Sequence, residues 1–180
     1  MSPVAVPLNP RRLLDAADRS LATRGAGRPN AMTLRRAVST AYYAVFHDLC
    51  RRTAEHVLPN GHARAQLALA RTIRHGELKT CCGWIAQNVA KPGDSLDALV
   101  DALRQCAPLV NAAGVFYELQ EKRHAADYDH FASFDKRAAL ATVREAEGVI
   151  DVIDGLSPAD RDAFLGLLAL YCVPHGSARA

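Results

Sequence analysis

The chain has 180 residues, 49% apolar and 23% charged, a balance that suits one globular domain with a single core. Its 22 basic and 19 acidic residues leave a net charge of +3, which excludes a generally nucleic-acid-binding surface, so any anion site must be local. Five cysteines, an odd number without C-x-x-C spacing, argue against a disulfide framework and a zinc site. The opening MSPVAVPLNPRR lacks a long apolar core, and no run of about 18 apolar residues follows. These features predict a chain without signal peptide or membrane span, kept reduced in the cytoplasm.

Helix signals dominate. Asn9-Pro10 combines a side chain that accepts free amides with a residue that loses nothing at the first helical position, predicting a helix over 10–23 with Leu13, Leu14, Ala17 and Leu21 inward. GAGRPNA breaks it. From Thr33 to about Val57 the apolar set Leu34, Val38, Ala41, Val45 and Leu49 recurs at three and four residues, the clearest helical pattern in the chain. LPNGH is a turn, HARAQLALARTIRH predicts a third helix ending near Gly76, and 77–90 reads as helical but interrupted at Gly83. After the KPGDS loop, Asp94 or Ser95 is placed to cap a helix with the stripe Leu96, Leu99, Val100, Leu103, Ala107 and Val110. Pro108 must kink or restart that helix, which then runs to about Lys122. A further helix is predicted from Ser133 or Phe134 to about Ile153, and SPAD opens one ending near Tyr171, before a frayed 174–180. Five or six amphipathic helices can bury their stripes only against one another, giving an all-α, antiparallel up-and-down bundle of four to five core helices plus a C-terminal helix over 157–171. The whole of 1–180 is read as a single domain, with its core over about 10–153.

Against this Ala- and Leu-rich background, YELQEKRHAADYDHF at 117–131 concentrates an Arg, two His, two Asp and a Tyr. If the helix continues past Lys122, Arg123, Asp127 and His130 share one face, and His124, Tyr128 and Phe131 an adjacent one. Two readings are open: a surface i,i+4 pair of Arg123 with Asp127, or a site. The face of the long helix opposite its apolar stripe carries Arg36, Ser39, Tyr43, His47 and Arg51 at the same spacings, while Tyr42 and Phe46 are bulky enough to belong in the core or an interface.

RRAVSTAYYAVFHDL at 35–49, followed by RHAADYDH at 123–130, resembles the HEPN domain family of small helical bundles found in bacterial toxin–antitoxin and defence systems. The resemblance covers about 10–153. The nuclease signature of that family is an Arg, a polar residue and, after a short spacer, a His; here Arg123, His124 and His130 fit, with six residues between Arg123 and His130. The resemblance implies a metal-independent endoribonuclease with its cleft at a homodimer interface. In it His130 would be general base or acid, Arg123 the phosphate stabiliser and His124 an orienting group. Asp127, Tyr128, Arg36, Tyr43 and His47 would support or bind. Such chemistry needs a base for the 2′-hydroxyl, an acid for the 5′-oxygen and a cation for the phosphate, so two apposed copies could supply both imidazoles. The expected partners are RNA or a nucleotide, a second copy, and a nucleotidyltransferase-type antitoxin or other defence protein. A subset of the family carries a modifiable Tyr two residues after the His, where this chain has Ala132. Many members with the R-x-x-A-D-Y form, which RHAADY also satisfies, have no assigned nuclease activity. The alternative is therefore a non-catalytic HEPN module binding nucleotide, RNA or a partner protein, with Arg123 paired to Asp127 and Tyr128 packed under the long helix.

Cys81-Cys82 beside Trp84 reads as packing, and His56, His62 and His75 are scattered without ligand spacing, so no metal or cofactor is expected. GAGRPN lacks the strand and Lys of a phosphate loop.

Overall fold

The computed structural model describes residues 9–22, 29–93 and 95–173; the expected cap at Asp94, the Thr23 end of the first helix and the 174–180 tail lie outside them. The described residues are all helical apart from connections, and form a bundle of eight helices. These are α1 (Pro10–Leu21), α2 (Ala31–Val57), α3 (Ala63–Ala70), α4 (His75–Ile85), α5 (Asp97–Leu103), α6 (Ala107–Tyr128), α7 (Lys136–Gly155) and α8 (Pro158–Cys172). No helix among them is long and apolar enough to cross a membrane.

Side-chain caps set four of the eight helix starts. Asn9 accepts from the amides of Arg11 and Arg12, Asn30 from Thr33, Asp135 from Ala138 and Ser157 from Asp160, so these four helices start where a short polar side chain satisfies free donors. Eight helices stand against the five or six expected, and one of the boundaries falls within the 62–75 pattern. At its middle the Thr72 amide and hydroxyl both turn back onto the Leu69 carbonyl, and Arg74 is extended, so α3 stops at Ala70 and α4 restarts at His75. The second division is at Pro108, which restarts the chain in the first turn of α6 and leaves α5 a separate short helix, with Leu96 rather than Ser95 at its cap position.

Gly83 does not interrupt α4. The helix runs through it and ends with Gln87 at φ 62°, where the Asn88 amide bonds the Gly83 carbonyl and the Gln87 amide bonds that of Trp84, a left-handed close with Gln where Gly is usual. The Arg104 guanidinium adds two bonds to the Trp84 carbonyl. α6 in turn continues past Lys122 to Tyr128.

α2 is the centre of the bundle, touching α1, α3, α6, α7 and α8. Fourteen of its 27 residues are buried, including Tyr42 and Phe46 as expected from their bulk. Each fully buried large side chain contributes about 1.5–3 kcal/mol, against helix-propensity penalties of a few tenths for β-branched and aromatic residues, so packing decides that this stretch is helical. α1 and α7 are tied to it by Arg11, which reaches Asp151 at 2.8 Å and Asp154 at 2.7 Å, and by Arg52, which bridges Asp48 and Asp154.

A Cβ at Gly83 would stand 2.9 Å from Val89 and 3.2 Å from the Tyr117 ring, whereas one at Gly148 in α7 meets nothing within 4 Å. Gly83→Ala is therefore expected to cost roughly 1 kcal/mol after its propensity gain, and Gly148→Ala to add roughly 0.5–1 kcal/mol. Urea unfolding of the two variants checks the opposite signs.

Candidate functional site

A helix end leaves its last carbonyls without intrahelical donors. At the end of α6 they are met by Arg35 of α2: Nη1 donates to the carbonyl of Ala126 at 2.9 Å and of Ala125 at 3.4 Å, while Nη2 donates to Asp129 at 2.7 Å and Ala132 at 2.5 Å. The turn 129–132 is thus bound to α2 on both sides. Asp129 Oδ1 also accepts from the Phe131 amide at 2.8 Å. Because α6 stops at Tyr128, His130 does not continue the helical face of Arg123 and Asp127 but sits in this turn.

Arg123, one turn and a half before the helix end, points back to α2. Nη2 donates to the Tyr43 hydroxyl at 2.5 Å and to that of Tyr128 at 3.3 Å, and the guanidinium carbon lies 5.3 and 5.1 Å from the two ring centres. Nε is 2.7 Å from Asp127 Oδ2, an ion pair whose angle does not make a hydrogen bond. Nη1 bonds to none of the described residues. Burial works against the charge, and the Tyr43 hydroxyl with Asp127 and Tyr128 outweighs it, so the proton is held more firmly than in free arginine. Asp127 is oriented from its other oxygen, which accepts from Ser39 at 2.7 Å.

Tyr43, Ser39, Asp127, His130, Arg35 and Arg36 line one groove of about 640 Å³ between α2 and the end of α6. Arg36 is exposed and makes no ion pair or hydrogen bond with the described residues. Of the other expected site residues, His47 stacks near Tyr43 at 5.9 Å and His124 is exposed, tilted against the Tyr128 ring at 5.1 Å. Tyr128 is 58% exposed and packs on Arg123, which rules out its burial under the long helix. Arg51, on the same helical stripe, belongs elsewhere, pairing with Asp48 at 2.8 Å and Glu55 at 2.6 Å.

Two residues at or beside the site carried no usable signal of their own. Arg35 stands beside Arg36, and its partners are backbone carbonyls, which no spacing marks. His75 begins α4, 3.8 Å in ring separation from Phe46 and with Nδ1 2.7 Å from the Tyr42 hydroxyl. Burial pushes the Tyr42 hydroxyl up, so it keeps its proton beside His75 Nδ1. Burial, then the charges of Arg123 and His47, lower His75; burial also lowers His47.

No group of three or more metal-ligating side chains occurs among the described residues. Comparison of the chain with protein-family models, curated proteins and solved structures finds no match. What the groove does must follow from its own chemistry.

A lowered pKa means that the unfolded chain binds protons before the folded one, so stability is complete above the ordinary histidine value of 6.5 and declines as pH falls below it. The melting temperature is expected to hold above about pH 7 and to drop towards about pH 5. His75→Gln, which keeps an acceptor for Tyr42, should flatten the drop and leave the part due to His47; an unchanged slope in a pH series of melts would assign it to other groups.

Proposed function

We propose that the chain is a HEPN-like helical bundle that acts, as a homodimer, as a metal-independent endoribonuclease in a toxin or defence setting. The observation supporting this reading is a groove that holds His130 and is lined by Tyr43 and Asp127, two of the side chains that orient Arg123, whose Nη1 bonds to none of the described residues. Arg clamps phosphate with a planar fork, and imidazole titrates near neutral pH, so the two side chains match the charge and the proton that must be handled.

In this mechanism His130 takes the proton of a 2′-hydroxyl, whose oxygen attacks the adjacent phosphorus. Arg123, turned by Tyr43 and Asp127, meets the charge growing on the phosphate oxygens, and an imidazole from a second copy returns a proton to the departing 5′-oxygen. The products end in a 2′,3′-cyclic phosphate and a 5′-hydroxyl. Tyr128 is exposed and its 3.3 Å bond to Arg123 is the longer of the guanidinium's two hydrogen bonds, so it is the group that yields when phosphate arrives. It is also the exposed hydroxyl that a nucleotidyltransferase-type antitoxin would modify.

One observation favours a second reading. Arg123 is already held by Tyr43, Asp127 and Tyr128, as a structural cation would be, which suits a non-catalytic module binding RNA, nucleotide or a partner protein in the same groove.

Purified protein with mixed RNA in EDTA separates them. The wild type should cut, leaving cyclic phosphate ends, and His130→Ala and Arg123→Ala should each lose roughly 100-fold or more while circular dichroism shows them folded. Full cleavage by His130→Ala would sink the mechanism, and binding without turnover by the wild type would establish the second reading.

A further inference from the structure

Phe131 is 97% exposed, although burying such a ring contributes about 1.5–3 kcal/mol and the groove wall is one residue away. Looseness does not account for it. The carbonyls on either side, of Asp129 and Ala132, are both bound by Arg35, and the Phe131 amide is bound by Asp129 Oδ1, so the backbone that presents the ring to solvent is held in place. Tyr128, 58% exposed, stands at the other end of the same turn.

The charge beside this ring is unbalanced. Arg36 has no partner among the described residues, and Arg35 is satisfied by carbonyl dipoles that leave its charge uncancelled. Of the nearby carboxylates, Asp127 is held by Arg123 and Ser39, and Asp129, which accepts from the Phe131 amide, offsets only one of the two guanidiniums. A fixed aromatic face beside uncancelled cations matches a single strand, which offers a base to stack and phosphates to pair, better than a duplex, whose bases are covered.

We propose that Phe131 is a stacking platform for an unpaired nucleobase of an RNA strand whose phosphates run past Arg36 along the groove. The choice of RNA rests on the nuclease reading above. Phe131 would act in positioning and in selecting single-stranded substrate, without taking part in proton transfer.

The test is fluorescence anisotropy with a labelled single-stranded 2′-O-methyl oligonucleotide, which cannot be cut by 2′-hydroxyl attack, and with its duplex. Phe131→Ala should weaken the single strand by about 5- to 100-fold and leave the duplex unchanged, while Phe131→Trp stays within about threefold of wild type. Equal affinity of Phe131→Ala and wild type for the single strand, or no binding by either, would overturn the proposal. So would conversion of a dimer to monomers by Phe131→Ala in sedimentation, which would make the ring a subunit contact. Because the probe is uncleavable, Phe131-dependent binding by a chain that cuts no RNA would refute the nuclease reading alone, and cleavage with Phe131-independent affinity would refute this one alone.

Discussion

A helix packed by neighbours around most of its surface cannot hydrate its polar side chains, and in this protein that constraint falls on α2. Ser39, Asp48 and the hydroxyl-bearing Tyr42 are all buried on it. A buried polar group left alone costs about 1–3 kcal/mol, and more if charged, so partners must come from the surrounding helices or from α2 itself. Asp48 takes Arg51 and Arg52, Ser39 takes Asp127 from α6, and Tyr42 takes His75 from the start of α4. The Thr53 hydroxyl is the exception and has none. The polar groups of α2 therefore select which ends of α4 and α6 can lie against it, and the groove is one product of that selection.

Arginine carries much of this closure because its fork serves several acceptors at once. Arg35 reaches four carbonyls at the end of α6, and Arg104 closes α4 through the Trp84 carbonyl. Lysine at 35 would hold the 129–132 turn by a single flexible ammonium. A loop that bears an imidazole and an unburied Phe is in this way tied to the central helix of the bundle, which gives side chains on a turn the placement accuracy of the scaffold.

The parts legible in the sequence were those set by local chemistry. Asn9-Pro10 and Ser157-Pro158 start helices because capping is decided within four residues, and the 33–57 pattern is helical because its spacing is. The close of α4 was hidden because Gln87, not Gly, takes the left-handed position, and Gly83 misled because its small size serves packing against Tyr117 rather than a break. The division at 71–74 has no Gly or Pro to mark it, only a Thr turned on its own carbonyl. In the site, Arg123 with Asp127 follows from helical spacing. Arg35, His75 and the true position of His130 depend on which helices meet, and one chain's periodicity carries no information on that.

The structural and catalytic readings of Arg123 are less opposed than they look from its bonds. A guanidinium has five N–H donors; here Nη2 donates to Tyr43 and Tyr128, and Nε faces Asp127 as an ion pair. Held on that edge, the group cannot rotate freely, yet Nη1 is unused. Fixing one edge of a cation removes the entropy that phosphate binding would otherwise have to cover, so the packing that makes Arg123 look structural is the same feature that would make it an effective phosphate ligand. A purely structural arginine in this place would gain by spending Nη1 as well; Arg35, one turn of α2 from Ser39, spends both of its terminal nitrogens on carbonyls. The difference between these two arginines is that one is saturated by carbonyls and the other is left with a nitrogen to give.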